Sequence, residues 1–305
     1  SPRGPQLLGL DLVAYEDLHF GGLLGRGGEA PVYAAWYRDT PVAVKVFGEA
    51  AAGARELGMY LKAGSHDNVV ALRGVCGHAG AMYLLLEYCP RGTLDVALHF
   101  SSGARWDARK MVPIVRSVAR GMHHLHTRGL LHRDIKPGNI FVGHGQMMKL
   151  GDLGMAREVP LSQPAAAGGA LRRLSPGVVG TPQYAAPEIL LDRPTPVGME
   201  FGEAALRADV WSFGVTLWEI LERRRPFDKG GKAAAAVVSG GHHPRLPPVS
   251  AGHHSEPAAQ LRIRRELAAL VEACTREDPR ERLTSADVLQ RLRAVGRIAG
   301  GRQEV

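Results

Sequence analysis

The chain has 305 residues, of which 45% are hydrophobic and 22% charged, enough to bury one large or two-lobed core and too apolar for disorder throughout. Its formal charge of +8 is spread over short arginine runs (Arg172-Arg173, Arg223 to Arg225, Arg262 to Arg265) without interleaved aromatics, which reads as solvated faces with some pull on acidic partners and argues against nucleic acid. The three cysteines, Cys76, Cys89 and Cys274, are far apart and read as free thiols of a reducing, cytoplasmic compartment, and no apolar run approaches a membrane span.

The chain opens without an initiating Met or a signal-peptide pattern, so a domain excised from a larger protein is expected. Residues 1–10 are rich in Pro and Gly, and a flexible segment is expected over 1–17. Strands and tight turns begin at Leu18. Leu24-Gly25-Arg26-Gly27-Gly28-Glu29-Ala30-Pro31-Val32-Tyr33 is a glycine-rich hairpin whose backbone N–H groups can approach phosphate oxygens with no Cβ in the way. An alternating strand, Pro41-Val42-Ala43-Val44-Lys45-Val46, then carries a lysine among buried-type residues.

Arg55-Glu56-Leu57 opens a helical pattern that continues through Met59, Tyr60 and Leu61, and the Ala/Gly-rich residues 48–54 read as a short tether. Residues 69–76 and 82–88 read as two neighbouring strands. From Trp106 the period turns helical, with Met111, Ile114, Val115, Val118, Met122 and Leu125 on one apolar stripe. His123-His124-x-His126 ends this helix without a neighbouring carboxylate or Cys, which argues for helix-end polar residues rather than a metal site.

The densest chemistry lies between Leu131 and Gly154, LHRDIKPGNIFVGHGQMMKLGDLG. Phosphoryl transfer needs a carboxylate to orient and deprotonate a hydroxyl, oxygen ligands for Mg²⁺ and a cation near the travelling phosphate. Asp134, Lys136 and Asn139 offer base, cation and one ligand on a single turn, and Asp152 offers a second ligand after a short apolar strand. Residues 155–182 are rich in Ala, Gly and Pro, with a low-complexity stretch at 163–170. They lead into Gly180-Thr181-Pro182-Gln183-Tyr184-Ala185-Ala186-Pro187-Glu188. A long surface loop is expected over 191–208, then an apolar helix from Asp209, a helix over 267–274, and Asp278-Pro279-Arg280-Glu281-Arg282.

In this order the motifs resemble the catalytic domain of eukaryotic protein kinases, from about Leu23 to Val295. The details lean toward the tyrosine-kinase-like group, near the mixed-lineage kinases. The resemblance implies an α+β, bilobal fold: an antiparallel β-sheet lobe with one helix over 18–87, a larger helical lobe over 88–296, and a tail over 297–305. It implies an ATP-dependent Ser/Thr protein kinase, with the Ser/Thr preference carried by Lys136 and Thr181.

Residue by residue, it assigns Asp134 as base, Lys136 to the γ-phosphate, and Asn139 and Asp152 to Mg²⁺. ATP would be held by Leu24, Gly25, Arg26, Gly27, Gly28, Val32, Ala43, Lys45, Leu86, Glu87, Cys89 and Asp152, with Thr93 or Asp95 toward the ribose. Glu56, or alternatively Glu49, would pair with Lys45, although the interval 56 − 45 = 11 is short for the family. Asp209 would hold the catalytic-loop backbone, and Arg282 would pair with Glu188. Arg133 would receive a phosphorylated residue of the 155–182 segment. Ser175 is preferred there to Ser162 and Thr181, which implies an upstream activating kinase. The chain departs from the family at Ala30, where a third glycine is usual, at Pro31, and at Leu153, where an aromatic is usual. A pseudokinase would lack Lys45, Asp134, Asn139 or Asp152, and all four are present.

Overall fold

A computed structural model describes residues 6–7, 10–26, 30–100, 107–160, 180–196, 198–227, 246–252 and 256–300. Gly27, Gly28, Ser162 and Ser175 lie outside the described residues. The first part of the chain builds one twisted sheet from β1 (Gln6–Leu7), β2 (Leu10–Leu12), β3 (Leu18–Arg26), β4 (Pro31–Tyr37), β5 (Thr40–Phe47), β6 (Leu72–His78) and β7 (Ala81–Glu87). The spatial order is β1-β2-β6-β7-β5-β4-β3. β-branched and aromatic residues alternate along β4 and β5, and the face carrying Ala35, Tyr37, Val42 and Val44 is buried with Cys76 and Leu85.

The amino-terminal stretch differs from the expected loose segment. β2 pairs in parallel with β6, Leu12 opposite Val75, and Leu10 and Val13 are buried. The sheet is therefore antiparallel except at this added edge. A three-residue strand has no periodicity of its own, and its partner lies some sixty residues downstream in the chain, so only the tertiary pairing reveals it.

Helix α1 spans Ala50–Ala63 and begins well before Arg55. The Ala-rich stretch read as a tether is its first turns, as alanine's propensity allows. Gly53 is needed there: a Cβ would meet Met82 Sδ at 2.8 Å, so glycine lets the helix seat against β7.

Beyond Glu87 the chain is mainly helical: α2 (Leu94–His99), α3 (Ala108–Thr127), α4 (Pro187–Leu190), α5 (Phe201–Glu222), α6 (Ala258–Cys274) and α7 (Ser285–Gly300). Asp107 caps α3 by accepting from the Arg109 amide at 2.8 Å. Met111, Val115, Val118, Met122 and Leu125 of α3 are buried in one core with Phe213, Leu217 and Trp218 of α5 and Leu267 and Leu270 of α6. Helix α5 starts at Phe201, so the surface loop expected over 191–208 is shorter, with Ala204 and Ala205 buried. Helix α7 runs through Gly300, and Ile298 and Ala299 pack on the core, so the expected tail over 297–305 is helical to residue 300.

Candidate active site

Strand β8 (Leu130–Leu131), paired antiparallel with β11 (Arg157–Glu158), delivers the chain to the turn at residues 132–139. β9 (Ile140–Val142) and β10 (Met148–Leu150) form the following hairpin. The turn hangs on α5: Asp209, 1% exposed, accepts from the amides of His132 at 2.7 Å and Arg133 at 2.9 Å. His126 adds a third contact to Asp209 at 3.0 Å. Arg133 sits at φ 68, a strained setting for a non-glycine residue that these contacts hold in place. Burial would push the Asp209 carboxyl pKa up, but His126, His132 and the amide contacts outweigh it and hold the group below the usual carboxylate range.

Held this way, Asp134 gathers the side chains that share its site. Its Oδ2 lies 2.7 Å from Lys136 Nζ and accepts from Asn139 Nδ2 at 2.7 Å. Its Oδ1 accepts from the Thr181 amide at 2.9 Å and the Thr181 hydroxyl at 2.8 Å. The Lys136 ammonium donates to the same Thr181 hydroxyl, which closes a ring of contacts. Gly180 permits the approach of this segment, because a Cβ there would lie 2.3 Å from the Arg133 carbonyl oxygen and φ is +89. Burial alone would raise the Asp134 pKa; the Lys136 ammonium and the Thr181 hydrogen bond more than cancel it and hold the carboxyl below its ordinary range. An ionised carboxylate ringed by donors, one of them a cation, is a proton acceptor placed beside a positive charge.

A second cluster forms behind it. Lys45 Nζ lies 2.7 Å from Glu56 Oε2 and 2.8 Å from Asp152 Oδ1. Glu56, and not Glu49, is the α1 acid against Lys45; Glu49 is the residue before the helix. The short interval between Lys45 and Glu56 is spanned because the helix starts at Ala50. Burial opposes the charge on Lys45, and Asp152 and Glu56 outweigh it, so its pKa is raised. Asp152 occupies the left-handed region at φ 61, and its side chain is 37% exposed. Asn139 and Asp152 approach each other through the backbone, the Gly151 amide donating to the Asn139 carbonyl at 3.0 Å. Asn139 spends its amide nitrogen on Asp134. The side-chain oxygens of Asn139 and Asp152 are hard donors of the kind Mg²⁺ takes.

The remaining sequence-predicted residues lie on or beside the sheet. Gly25 pairs with Val32, Val32 with Lys45, and Ala43 with Leu86 across adjacent strands, and Leu24 and Arg26 lie on β3. Ala30, where the glycine pattern breaks, is 3% exposed and packs with Phe47 and Leu84. Pro31 is the first residue of β4, where a missing N–H is tolerated. Glu87 is committed elsewhere: its carboxylate meets Lys149 at 3.1 Å and the Ala71 amide at 3.3 Å. Cys89 is half-buried, and burial pushes its thiol up to about 11. Asp95 turns to Arg225 at 3.0 Å.

Two arrangements escaped the sequence reading. The three helix-end histidines part company, His123 meeting Ser285 at 3.0 Å, His124 the Ala63 carbonyl at 2.8 Å, and His126 the carboxylate of Asp209. Tyr184 donates to Glu219 at 2.6 Å, and Glu219 meets His99 at 2.7 Å, which braces the 180–188 segment against α5 and α2. The one signal in the sequence was Glu219 itself, a lone acid inside the apolar run of α5. Arg282 meets Glu188 at 2.7 and 3.1 Å, with the two side chains 0% and 4% exposed.

Comparison with known proteins adds to this geometry. Residues 18–292 match the family described as "Protein kinase domain". The chain is 29% identical to "Mitogen-activated protein kinase kinase kinase 13-A" of Xenopus laevis over 236 residues, 77% of this chain and 22% of that protein. It is also 29% identical to "Serine/threonine-protein kinase CTR1" of Arabidopsis thaliana over 308 residues, 95% of this chain and 34% of that protein. The chain thus spans about a fifth to a third of the length of these relatives.

Proposed function

This chain belongs to the protein kinase domain family, and from that premise we propose that it transfers the γ-phosphoryl group of ATP to Ser and Thr hydroxyls of protein substrates. The observation that carries the proposal is the convergence of Lys136, Asn139 and Thr181 on the Asp134 carboxylate, beside a Lys45 that bridges Glu56 and Asp152.

In this reading an acceptor hydroxyl sits against Asp134. Its oxygen forms a bond to the γ-phosphorus while the bond to the β–γ bridging oxygen breaks and ADP leaves. The hydroxyl proton passes to Asp134. Lys136 faces the charge that spreads over the transferred group, and Lys45, steadied by Glu56, faces the other phosphates. Asn139 and Asp152 are the residues that would hold Mg²⁺, which when bound neutralises phosphate charge. The protein's contribution is positioning and preorganised charge rather than a covalent intermediate.

The backbone of the hinge at Glu87 and Cys89 would meet the adenine edge, with Leu86 behind it and Leu24, Val32 and Ala43 around the ring. The free thiols Cys76, Cys89 and Cys274 fit a reducing, cytoplasmic setting. Among the described residues no helix is long and apolar enough to cross a membrane.

Regulation by an upstream kinase belongs to the same proposal. Burial and the nearby Arg157 and Arg55 pull the Arg133 pKa down against the raising effect of Asp209, and an anion there would add a counter-charge. A phosphate on Ser175 would be that anion. Labelled-phosphate transfer from ATP to generic Ser/Thr protein substrates, with Mg²⁺, tests the function. Nucleotide binding without any transfer would mark a pseudokinase instead. Full activity of Ser175→Ala, with no phosphate at Ser175 in mass spectra of active protein, would remove that switch.

A further inference from the structure

The β9–β10 hairpin lies against the chain that follows Glu87. The Val142 amide donates to the Gly92 carbonyl at 2.9 Å, and Phe141 bridges to Thr93. Lys149 of β10 stands opposite Phe141 in the hairpin, and its ammonium reaches the Glu87 carboxylate at 3.1 Å. Both side chains are only 12% exposed, so this is not an ion pair lying open to water. Gly143 leaves room for the lysine stem: a Cβ there would lie 3.1 Å from Lys149 Cε and 3.2 Å from its Cδ.

Glu87 is the last residue of β7. Its amide donates to the Ala71 carbonyl at 2.8 Å, and its carboxylate accepts from the Ala71 amide at 3.3 Å. Past this point the strand pairing ends, so the orientation of the backbone at 87–89 depends on how the Glu87 side chain is anchored. The Ala71 amide contact is long and carries no net charge. Lys149 supplies the counter-charge that a carboxylate so far withdrawn from water needs; without it the side chain would turn outward or stay at a cost. The hairpin also joins the two ends of the site, because Asn139 directly precedes β9 and Asp152 follows β10 after Gly151.

We propose that Lys149 is a positioning residue: by holding the Glu87 carboxylate it fixes the 87–89 backbone against which an adenine ring binds, and ties that segment to the hairpin carrying Asp152. The inference rests on the reading of residues 87–89 as the adenine edge, and its test separates the two.

Lys149→Met keeps an unbranched stem and removes the charge; Lys149→Gln is a second neutral replacement should the first disturb folding. Adenosine has no phosphates to meet Lys45 or Mg²⁺, so it is the binding probe, read by calorimetry. Amide hydrogen exchange is followed at Ala71 and Glu87 in protein without ligand. In both variants the adenosine dissociation constant and the KM for ATP should rise about three- to tenfold, the factor one hydrogen bond supplies. Turnover at saturating ATP should stay unchanged, the pattern of lost binding rather than lost chemistry. The Ala71 and Glu87 amides should exchange faster by a similar factor. A merely structural lysine would lower the melting temperature and leave adenosine affinity and KM where they were. Unchanged affinity for adenosine where wild type binds it, or unchanged exchange at both amides, overturns the proposal. Faster exchange at both amides in a protein whose wild type binds no adenosine would instead sustain the anchoring and sink the adenine reading.

Discussion

Arg282→Met is the perturbation whose size the structure fixes best. The guanidinium, with its side chain 0% exposed, donates to both Glu188 oxygens and also to the carbonyls of Arg276 at 3.0 Å, Arg207 at 2.9 Å and Glu277 at 3.3 Å. Methionine fills much of the volume but leaves a buried carboxylate with no counter-charge, a loss of about 3–5 kcal/mol. For a chain of this size that corresponds to a fall in Tm of roughly 6–15 °C. The companion Glu188→Gln removes the stranded charge, so the double variant should melt above Arg282→Met alone. Recovery stops short because the three carbonyls still lack their donor, at about 1–3 kcal/mol for each one left unsatisfied. Differential scanning fluorimetry on the two single variants and the double completes the cycle. If the double variant melts as low as the sum of the singles, the unpaired charge was not the cause. A single-variant loss under about 1 kcal/mol would show that the pair is not buried in solution.

Two further outcomes follow from the same contacts. Lys45→Met should abolish transfer while Glu56→Gln weakens it less completely and Glu49→Gln leaves it unchanged; a silent Glu56→Gln beside a damaging Glu49→Gln would refute the pairing seen here. Burial raises the Glu219 pKa even though the Tyr184 hydroxyl and His99 pull it down, so on acidification the folded state takes up a proton before the unfolded chain does. The resulting penalty is full above the folded pKa and gone below the unfolded value of about 4.3. Wild type should therefore gain in Tm relative to Glu219→Gln as pH falls from about 7 to 5, and drift in the opposite direction would contradict the assignment.

Contiguity decided what the sequence disclosed. Asp134, Lys136 and Asn139 lie within one turn and Asp152 follows a short hairpin, so their residue types and spacing expose the chemistry before any fold is known. Lys45 and Glu56 are local enough to pair on paper, but the register stayed open between Glu49 and Glu56 because an Ala/Gly run is equally a tether or a helix; the helix starting at Ala50, with Glu56 against Lys45, decides it. Long-range partners were illegible. β2 exists only by pairing with β6, and His99 meets Glu219 across 120 residues with no shared motif. The early start of α5 at Phe201 was hidden by loop-like Pro and Gly residues just before it.

The central claim stands or falls on Asp134. Asparagine in its place keeps the shape, and its amide oxygen can still accept from Thr181, but its amide nitrogen cannot accept from Lys136, and the negative charge proposed to take the acceptor proton is gone. Phosphoryl transfer and ATP affinity should be measured on the same preparations of wild type and Asp134→Asn. The expected result is a fall in turnover of roughly two orders of magnitude or more with ATP binding nearly intact. Equal turnover in the variant would contradict the kinase assignment.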